Sequence, residues 1–132
     1  MHQDKLTEQV IGLAMKVHRT LGSGFVEFVY RNAMIHELHK AGLTVEVEKP
    51  TKVRYEGVIV GEFNIDLFIE NWLIVELKAA RTLAEEHEVQ LVNYLTAIEQ
   101  DFGLLLNFGS KSLQFKRKFR RPKDDSPPDL LT

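Results

Sequence analysis

The chain has no cysteine among its 132 residues, which excludes disulfides, thiolate zinc sites, iron–sulfur clusters and cysteine nucleophiles. Its eight glycines form neither a GxGxxG nor a P-loop pattern, and its histidines form no His-x-x-x-His or His-Glu-x-x-His pair. The sequence therefore gives no support for a nucleotide cofactor or for a zinc site.

Long apolar runs are also missing. No run approaches the roughly 18 residues that a membrane span needs, and the N-terminus lacks the basic-then-apolar order of a signal peptide. Apolar residues make up 44% and charged residues 27% of the chain, which is typical of a globular domain. We therefore expect a cytoplasmic protein with no membrane partner. One domain should cover residues 1–121, followed by a flexible, proline-containing tail over residues 122–132.

Hydrophobic spacing divides the chain into helices and strands. The predicted helices cover 4–21, 25–41 and 84–99, and the predicted strands cover 43–55, 63–69, 72–78, 103–108 and 113–121. Gly42 stands where a left-handed helix C-cap is expected, and Glu56-Gly57 and Gly61 are turn or bulge signals. The order α-α-β-β-β-α-β-β predicts an α/β fold in which a mixed sheet has helices on both sides.

The segment with the clearest chemical content is Asp66 followed by Glu76-Leu77-Lys78. Residues i and i+2 share one face of a strand, so Glu76 and Lys78 point together. If the carboxylates of Asp66 and Glu76 converge, they can hold a hard divalent cation such as Mg²⁺ or Mn²⁺, which polarises a phosphate. A neighbouring lysine can orient the attacking water. The structural alternative is an ion pair between Glu76 and Lys78, or a pair of charges at a water-exposed mouth of the sheet.

The two carboxylates share a face only if the hairpin between their strands has a suitable loop. Opposed residues of an antiparallel pair point to the same face. A two-residue loop would pair Asp66 with Val75 and turn its carboxylate away from Glu76. We therefore predict an odd-numbered loop, such as residues 70–72, or a β-bulge.

Two helical segments add polar side chains. Gln90 and Tyr94 lie four residues apart and share a helix face, with His87 one turn earlier. Taken alone, Gln90 is equally an exposed helix residue and Tyr94 a half-buried packing aromatic. Glu27 and Tyr30 follow the first glycine-rich turn at positions i and i+3. A glutamate there complements the helix dipole, or supplies a third carboxylate to the metal.

Together these segments resemble the GxxExxY family, a group similar to the PD-(D/E)XK nuclease superfamily. The name-giving motif is Gly24-Phe-Val-Glu27-Phe-Val-Tyr30. The other motifs are Val17-His-Arg-Thr-Leu-Gly22, Glu76-Leu-Lys78, His87-Glu-Val-Gln90-Leu-Val-Asn-Tyr94-Leu and Leu105-Leu-Asn-Phe-Gly109. The likeness covers about residues 6–120, and the Gln90-x-x-x-Tyr94 element also resembles the RecB-like branch of that superfamily.

The resemblance implies a three-layer, restriction-endonuclease-like fold with an αβββαβ core. The side chains that it implies for the catalytic site are Glu27, Asp66, Glu76, Lys78, Gln90 and Tyr94. Three of them, Glu27, Asp66 and Glu76, are expected to hold the metal, and Gln90 and Tyr94 to support the site. Ile65 precedes Asp66 where the superfamily name has proline.

Basic residues are concentrated near the end of the chain. Residues 1–110 contain ten Lys and Arg against sixteen Asp and Glu, whereas residues 111–123 contain seven Lys and Arg and no acid. On the last predicted strand, alternation puts Lys116, Lys118 and Arg120 on one face. We predict that this row contacts the phosphate backbone of a nucleic acid. The alternative is an edge strand whose charges prevent aggregation.

These features favour a small metal-dependent nuclease that hydrolyses phosphodiester bonds in DNA or RNA, with Mg²⁺ or Mn²⁺ as its cofactor. One alternative is a non-catalytic nucleic-acid-binding or protein-interaction module built on a nuclease fold. Another is a structural protein in which the acidic residues form internal ion pairs. An exposed sheet edge or apolar helix would also allow a homodimer or a larger assembly.

Overall fold

The computed structural model describes residues 3–120, in which three helices and five strands follow the predicted order. The helices are α1 (Gln3–Leu21), α2 (Glu27–Lys40) and α3 (Glu85–Ile98), and the strands are β1 (Val45–Tyr55), β2 (Val58–Ile69), β3 (Leu73–Lys78), β4 (Phe102–Asn107) and β5 (Gln114–Phe119). The tail predicted over 122–132 lies outside the described residues. Within residues 3–120, no helix is long and apolar enough to cross a lipid bilayer.

The five strands form one mixed sheet in the order β1-β2-β3-β4-β5. β3 and β4 run parallel and are joined through α3, while the other neighbouring strands pair antiparallel. α1 and α2 pack on one face of the sheet and α3 packs on the other. The predicted α/β architecture, a mixed sheet with helices on both sides, is therefore confirmed.

The centre of the sheet is its most completely buried part. Every residue of β4 is buried, and so is every residue of β3 except Lys78. Side chains such as Leu77 and Phe108 pack against α1 and α2, whereas Ile74 and Leu91 meet in the core on the α3 side. Because these strands are covered on both faces, their sequences are continuously apolar and show no alternation.

The predicted turn signals mark real turns. Gly42 follows α2 with a φ of 76°, the left-handed conformation expected after a helix C-terminus. Glu56 and Gly57 separate β1 from β2, and the register of these two strands shifts opposite Gly61. That shift is a β-bulge, in agreement with the glycine at this position.

Tyr30 holds the connection between α1 and α2. Its ring is fully buried and stacks on Phe108 with the ring centroids 4.8 Å apart. Its hydroxyl donates to the Gly22 carbonyl at 2.5 Å and accepts from the Phe25 N–H at 3.2 Å. Because these bonds keep Phe25 in the turn, α2 begins at Glu27 and not at residue 25 as predicted.

The ends of β3 and β4 are tied together by the fully buried side chain of Asn107. Its Oδ1 accepts from the N–H groups of Ala80 and Gly109, at 2.9 and 3.1 Å. Its Nδ2 donates to the Ala80 carbonyl at 2.8 Å and to Gln114 Oε1 at 2.9 Å, and the same Gln114 oxygen accepts from the Leu83 N–H. This network, the Asn107 clamp, fixes the segment that leads from the end of β3 to α3.

Gly109→Ala is expected to destabilise the fold, because a Cβ at this position would lie 2.4 Å from the Ala80 carbonyl oxygen. That contact is with backbone inside the Asn107 clamp, so the chain would have to shift. We expect the free energy of unfolding to fall by about 2 kcal/mol or more.

Gly12→Ala is the matched control. A Cβ at Gly12 meets nothing within 4 Å and lies inside α1, so alanine should raise the free energy of unfolding by about 0.5–1 kcal/mol. Urea denaturation of both variants measures the difference. Equal stabilities would contradict the close packing of the clamp.

Candidate active site

The hairpin between β2 and β3 decides which residues face each other. Its backbone pairs end at Leu67↔Val75, and the three-residue loop 70–72 connects the two strands. The same register carried one residue further puts Asp66 opposite Glu76. An odd-numbered loop is what brings the two carboxylates to one face, so this prediction is confirmed.

The backbone pairing between β2 and β3 ends before Asp66 and Glu76. At these two residues, hydrogen bonds from side chain to backbone connect the strands instead. The Asp66 N–H donates to Glu76 Oε2 at 3.0 Å, and the Leu77 N–H donates to Asp66 Oδ2 at 2.8 Å. Each carboxylate thus caps a backbone amide of the opposite strand through one oxygen. The second oxygen of each, Oδ1 of Asp66 and Oε1 of Glu76, remains available as a ligand.

The two carboxylates are difficult to ionise together. Glu76 is only 6% exposed, and burial, followed by the negative charge of Asp66, raises its pKa to about 8. Burial also raises the pKa of Asp66, against the opposing effects of the Leu77 N–H and the Lys78 ammonium group. A site of this kind is stabilised either by a proton or by a cation.

Lys78 ends β3 beside this pair and is half-buried. Its charge lowers the pKa values of both Asp66 and Glu76. Among the ion pairs of residues 3–120, however, there is none between Glu76 and Lys78. The acid of the Glu-x-Lys motif is instead held by a backbone amide, and the direct ion pair offered as the structural alternative is not formed.

The odd-numbered side chains of β2 change from one side of the sheet to the other at Asp66. Phe63 and Ile65 pack on the α3 side of the sheet, whereas Leu67 and Ile69 pack on the side of α1 and α2. Strict alternation would keep these odd-numbered residues on one side. β2 therefore twists about its own axis at Asp66, between Ile65 and Leu67. Asp66 itself is only partly buried.

β1 is irregular at the same level. Its pairs Val47↔Leu67 and Lys49↔Ile65 leave Glu48 opposite Asp66, and Glu48 has a φ of 51°. The Glu48 Oε2 accepts from Arg31 Nη1 of α2 at 2.7 Å. The Arg31 charge lowers the pKa of Asp66 and the Glu48 charge raises it, so the two members of this pair act on Asp66 in opposite directions.

Glu27 approaches the site from the start of α2 and stays exposed. Partial burial, followed by the negative charge of Asp66, raises the pKa of its carboxyl. The positive charges of Lys78 and Arg31 act in the opposite direction. Glu27 therefore lies within electrostatic reach of the carboxylate pair.

The donor set suits a hard cation. Mg²⁺ prefers carboxylate oxygens and is commonly held by one or two of them, with water completing its octahedron. The free oxygens of Asp66 and Glu76 supply such a pair, and a divalent cation would relieve their mutual repulsion. In residues 3–120, no three acidic or histidine side chains are arranged to hold a metal ion directly. Glu27, Asp66 and Glu76, the predicted metal ligands, are thus close enough for their charges to affect one another's pKa values. They are not arranged as three direct ligands of one metal ion.

α3 contributes Tyr94 from the opposite side of the sheet. The Tyr94 ring stacks on Phe63 with centroids 3.8 Å apart, and burial followed by the charges of Glu76 and Asp66 raises the pKa of its hydroxyl. Gln90 lies one turn earlier, is exposed and lines an open surface depression with Tyr94. Of the two predicted supporting residues, Tyr94 is therefore close to the carboxylates and Gln90 faces solvent.

Lys116 and Lys118 of the basic row lie on β5, at the edge of the sheet and two strands away from β3, and Arg120 directly follows the end of β5. Lys118 Nζ is 3.0 Å from Glu88 Oε1, and Arg120 Nε is 2.9 Å from Asp101 Oδ1. Lys116 is exposed. Two of the three predicted phosphate contacts are thus engaged by acidic side chains, which leaves Lys116 as the cation of this row that is open to a ligand.

Several residues around the site were missed by sequence reasoning. Arg31 and Glu48 are far apart in the chain and carry no motif, so nothing in their spacing signals that they pair. Phe63, the stacking partner of Tyr94, reads as an ordinary strand residue. Asn107 did leave a signal, since it is a single polar residue between Leu104-Leu105-Leu106 and Phe108 in an otherwise apolar run.

Comparison with known proteins agrees with this architecture. A family model described as the PD-(D/E)XK nuclease superfamily matches residues 4–121. A search of curated proteins gave no match. Because the family model covers nearly the whole chain, the chain belongs to the PD-(D/E)XK nuclease superfamily, and the predicted restriction-endonuclease-like fold is confirmed.

A solved structure shows the same fold. The crystal structure of SSO0001 is similar with a TM-score of 0.57 and 17% sequence identity, over 74% of this chain. The chain spans about half of that protein, 52% of its length. At this level of identity the likeness concerns the fold and carries no residue roles.

The buried carboxylates predict a stability that falls as the pH rises. The pKa of Glu76 is about 8 in the folded chain against 4.5 for an unperturbed glutamate, so the folded state binds more protons than the unfolded state between these values. In EDTA, the Tm should therefore decrease across this window. Glu76→Gln should flatten the decrease and raise the Tm above pH 8 by roughly 4 °C, the shift that about 1 kcal/mol produces in a domain of this size.

Glu62→Gln is the control, because Glu62 is an exposed carboxylate on the same strand as Asp66. Its pH profile of Tm, followed by circular dichroism, should match the wild-type profile. A wild-type Tm that is constant from pH 5 to pH 8, or rises there, would show that Glu76 is not held protonated by its surroundings.

Proposed function

We propose that this member of the PD-(D/E)XK nuclease superfamily is a metal-dependent nuclease that hydrolyses phosphodiester bonds in DNA or RNA. The observation that carries the proposal is the pair of carboxylates, Asp66 and Glu76, that stand opposite each other where β2 and β3 part. Burying two like charges lowers the stability of a fold. A purely structural domain would gain by replacing them, so a ligand that needs both is the simplest reason for their presence.

In this proposal, Asp66 and Glu76 hold Mg²⁺ or Mn²⁺ through the oxygens that the backbone amides do not engage. A bound divalent cation would neutralise charge on the phosphodiester and lower the pKa of a bound water. Glu27 adds a third negative charge from the start of α2 and acts on the metal through water. The resulting charge balance favours a cation plus a phosphate over either alone.

The remaining side chains act on the substrate and the water. Lys78 orients the attacking water and offsets the negative charge that develops on the phosphate in the transition state. The raised pKa of Tyr94 keeps its hydroxyl protonated, so it can donate a hydrogen bond within the site. Gln90 supports the substrate from the solvent side of α3.

The finer classification also belongs to this proposal. The Gly24-x-x-Glu27-x-x-Tyr30 motif supports membership of the GxxExxY family, and Gln90-x-x-x-Tyr94 supports the RecB-like branch. Tyr30 has a structural explanation here, because its hydroxyl anchors the turn that carries Glu27 toward the site.

A non-catalytic binding module is the second candidate. The observation that favours it is the lack, within residues 3–120, of three acidic or histidine side chains arranged around one point. Such a module would bind nucleic acid or a protein through the same surface without turnover. The two candidates differ in whether cleavage depends on the carboxylates and on metal.

Cleavage of end-labelled single- and double-stranded DNA and RNA is expected in Mg²⁺ or Mn²⁺ and is expected to be lost in EDTA. Glu76→Gln and Lys78→Met should each reduce the rate by roughly 100-fold or more, because each removes a group that acts on the transition state. Mg²⁺ should also raise the Tm of the wild type more than that of Glu76→Gln, since only the wild type has the full carboxylate pair.

The controls are Glu62→Gln on β2 and Lys5→Met on α1, two exposed residues that change the same charges elsewhere. Both should cleave at the wild-type rate. Folded Glu76→Gln and Lys78→Met proteins with wild-type activity would exclude this site as the catalytic centre. No cleavage by the wild type, together with a Tm that does not respond to metal, would favour the non-catalytic module.

The basic row on β5 leads to a separate prediction. Lys116→Ala should weaken oligonucleotide binding and reduce the slope of log K against log salt by about 1, as expected for the loss of one phosphate contact. Lys118→Ala should have a smaller effect on the slope, because Glu88 already neutralises Lys118. Anisotropy titrations at several salt concentrations measure both, and an unchanged slope for Lys116→Ala would remove β5 from the interface.

A further inference from the structure

Three large apolar side chains are exposed next to the candidate catalytic carboxylates. Phe25 is 48% exposed, Val26 58% and Phe28 55%. These residues, the aromatic patch, flank Glu27 on both sides in the sequence. Exposed large apolar residues reduce solubility and contribute little to the core, so three of them within four positions of the chain indicate a binding function.

The aromatic patch is held in place by the fold. The Phe25 N–H donates to the Tyr30 hydroxyl at 3.2 Å, and the Phe25 ring meets the buried Tyr30 ring edge-on, with centroids 6.2 Å apart. Phe28 lies in the first turn of α2, whose start is fixed by the same contacts. The Phe25 ring is thus presented to solvent by a rigid support and does not need to be ordered when a ligand binds, and Phe28 extends from the first turn of the adjoining helix.

The surroundings of the aromatic patch match the chemistry of a nucleic acid. Lys78 and Arg31 lie close enough to Glu27 to lower the pKa of its carboxyl, so two cationic side chains stand near the aromatic patch, and one of them, Arg31, also pairs with Glu48 at 2.7 Å. Proteins that bind single strands combine such cations, which follow the phosphates, with aromatic rings on which bases stack. A hydrophobic protein partner would find these charges unfavourable to bury.

We propose that the aromatic patch stacks on unpaired bases, so that the substrate of the site is single-stranded nucleic acid or an unpaired segment of a duplex. This inference rests on the proposed function, because it assumes that nucleic acid enters at Glu27. In a duplex the faces of the bases are covered by their neighbours, and the rings of Phe25 and Phe28 could stack only on bases that have left the helix. Every base has such a face, so the contact selects strandedness and not sequence.

Binding without cleavage tests the inference. Fluorescence anisotropy would be measured in EDTA with labelled single-stranded DNA, single-stranded RNA and duplexes of the same sequence. Phe25→Ala and Phe28→Ala should each weaken single-strand binding roughly tenfold, within the range measured for the loss of one stacked base, and leave duplex binding unchanged. Both side chains are largely exposed, so the Tm of each variant should stay near that of the wild type.

Two conservative variants separate stacking from general hydrophobicity. Phe28→Tyr retains an aromatic face and should bind single strands as the wild type does, whereas Phe28→Leu keeps the apolar surface without a ring and should bind like Phe28→Ala. Tyr55→Ala is the control for an exposed aromatic elsewhere, because Tyr55 is 66% exposed at the tip of the β1–β2 hairpin. It should leave the affinity for single strands unchanged.

The outcomes distinguish this inference from the proposed function. Nuclease activity together with unaltered single-strand binding by Phe25→Ala and Phe28→Ala would overturn base stacking and leave the nuclease intact. Ring-dependent binding of single strands without cleavage would support base stacking and count against catalysis. If Phe28→Leu binds as the wild type does, the aromatic patch is an apolar contact of another kind, such as one for a protein partner, and the inference is wrong.

Discussion

The structure depends on one exchange of hydrogen bonds, in which the carboxylates of Asp66 and Glu76 each accept the backbone N–H of the opposite strand. Two strands that separate inside a sheet leave unpaired amides, and buried amides without partners are costly. The carboxylates satisfy these amides and thereby allow β2 to diverge from β3. The same exchange brings two carboxylates together in a buried gap, where burial, followed by the negative charge of Asp66, raises the pKa of Glu76 to about 8.

The other polar groups around the site position the segments that surround the two carboxylates and add charged side chains near them. Arg31 and Glu48 brace the irregular level of β1, and Tyr30 fixes the turn from which Glu27 reaches the carboxylate pair. On the other side, the Asn107 clamp fixes the chain just beyond the end of β3. The geometry is therefore set by polar groups that are themselves buried or bonded, as a site that must bind a cation and a phosphate requires.

The two outer surfaces near the site differ in what they can recognise. The row on β5 offers charge, but two of its cations are already bound by Glu88 and Asp101. The aromatic patch offers flat apolar rings with two cationic side chains near them. Charge alone attracts any polyanion, while exposed rings can discriminate between paired and unpaired bases. The combination would give this small domain some substrate selection of its own.

The amino-acid sequence by itself determined the order of the elements, and it required an odd-numbered loop or a β-bulge if Asp66 and Glu76 were to share a face, because apolar periodicity and strand parity are local properties of the chain. Residues 70–72 form the odd-numbered loop that this parity requires. Only the tertiary structure decided that Glu76 bonds a backbone amide and not Lys78, and that Glu88 neutralises Lys118. These contacts form between residues that are distant in the chain, or they depend on burial. The local sequence pattern predicts neither the distances in space nor the burial of individual side chains.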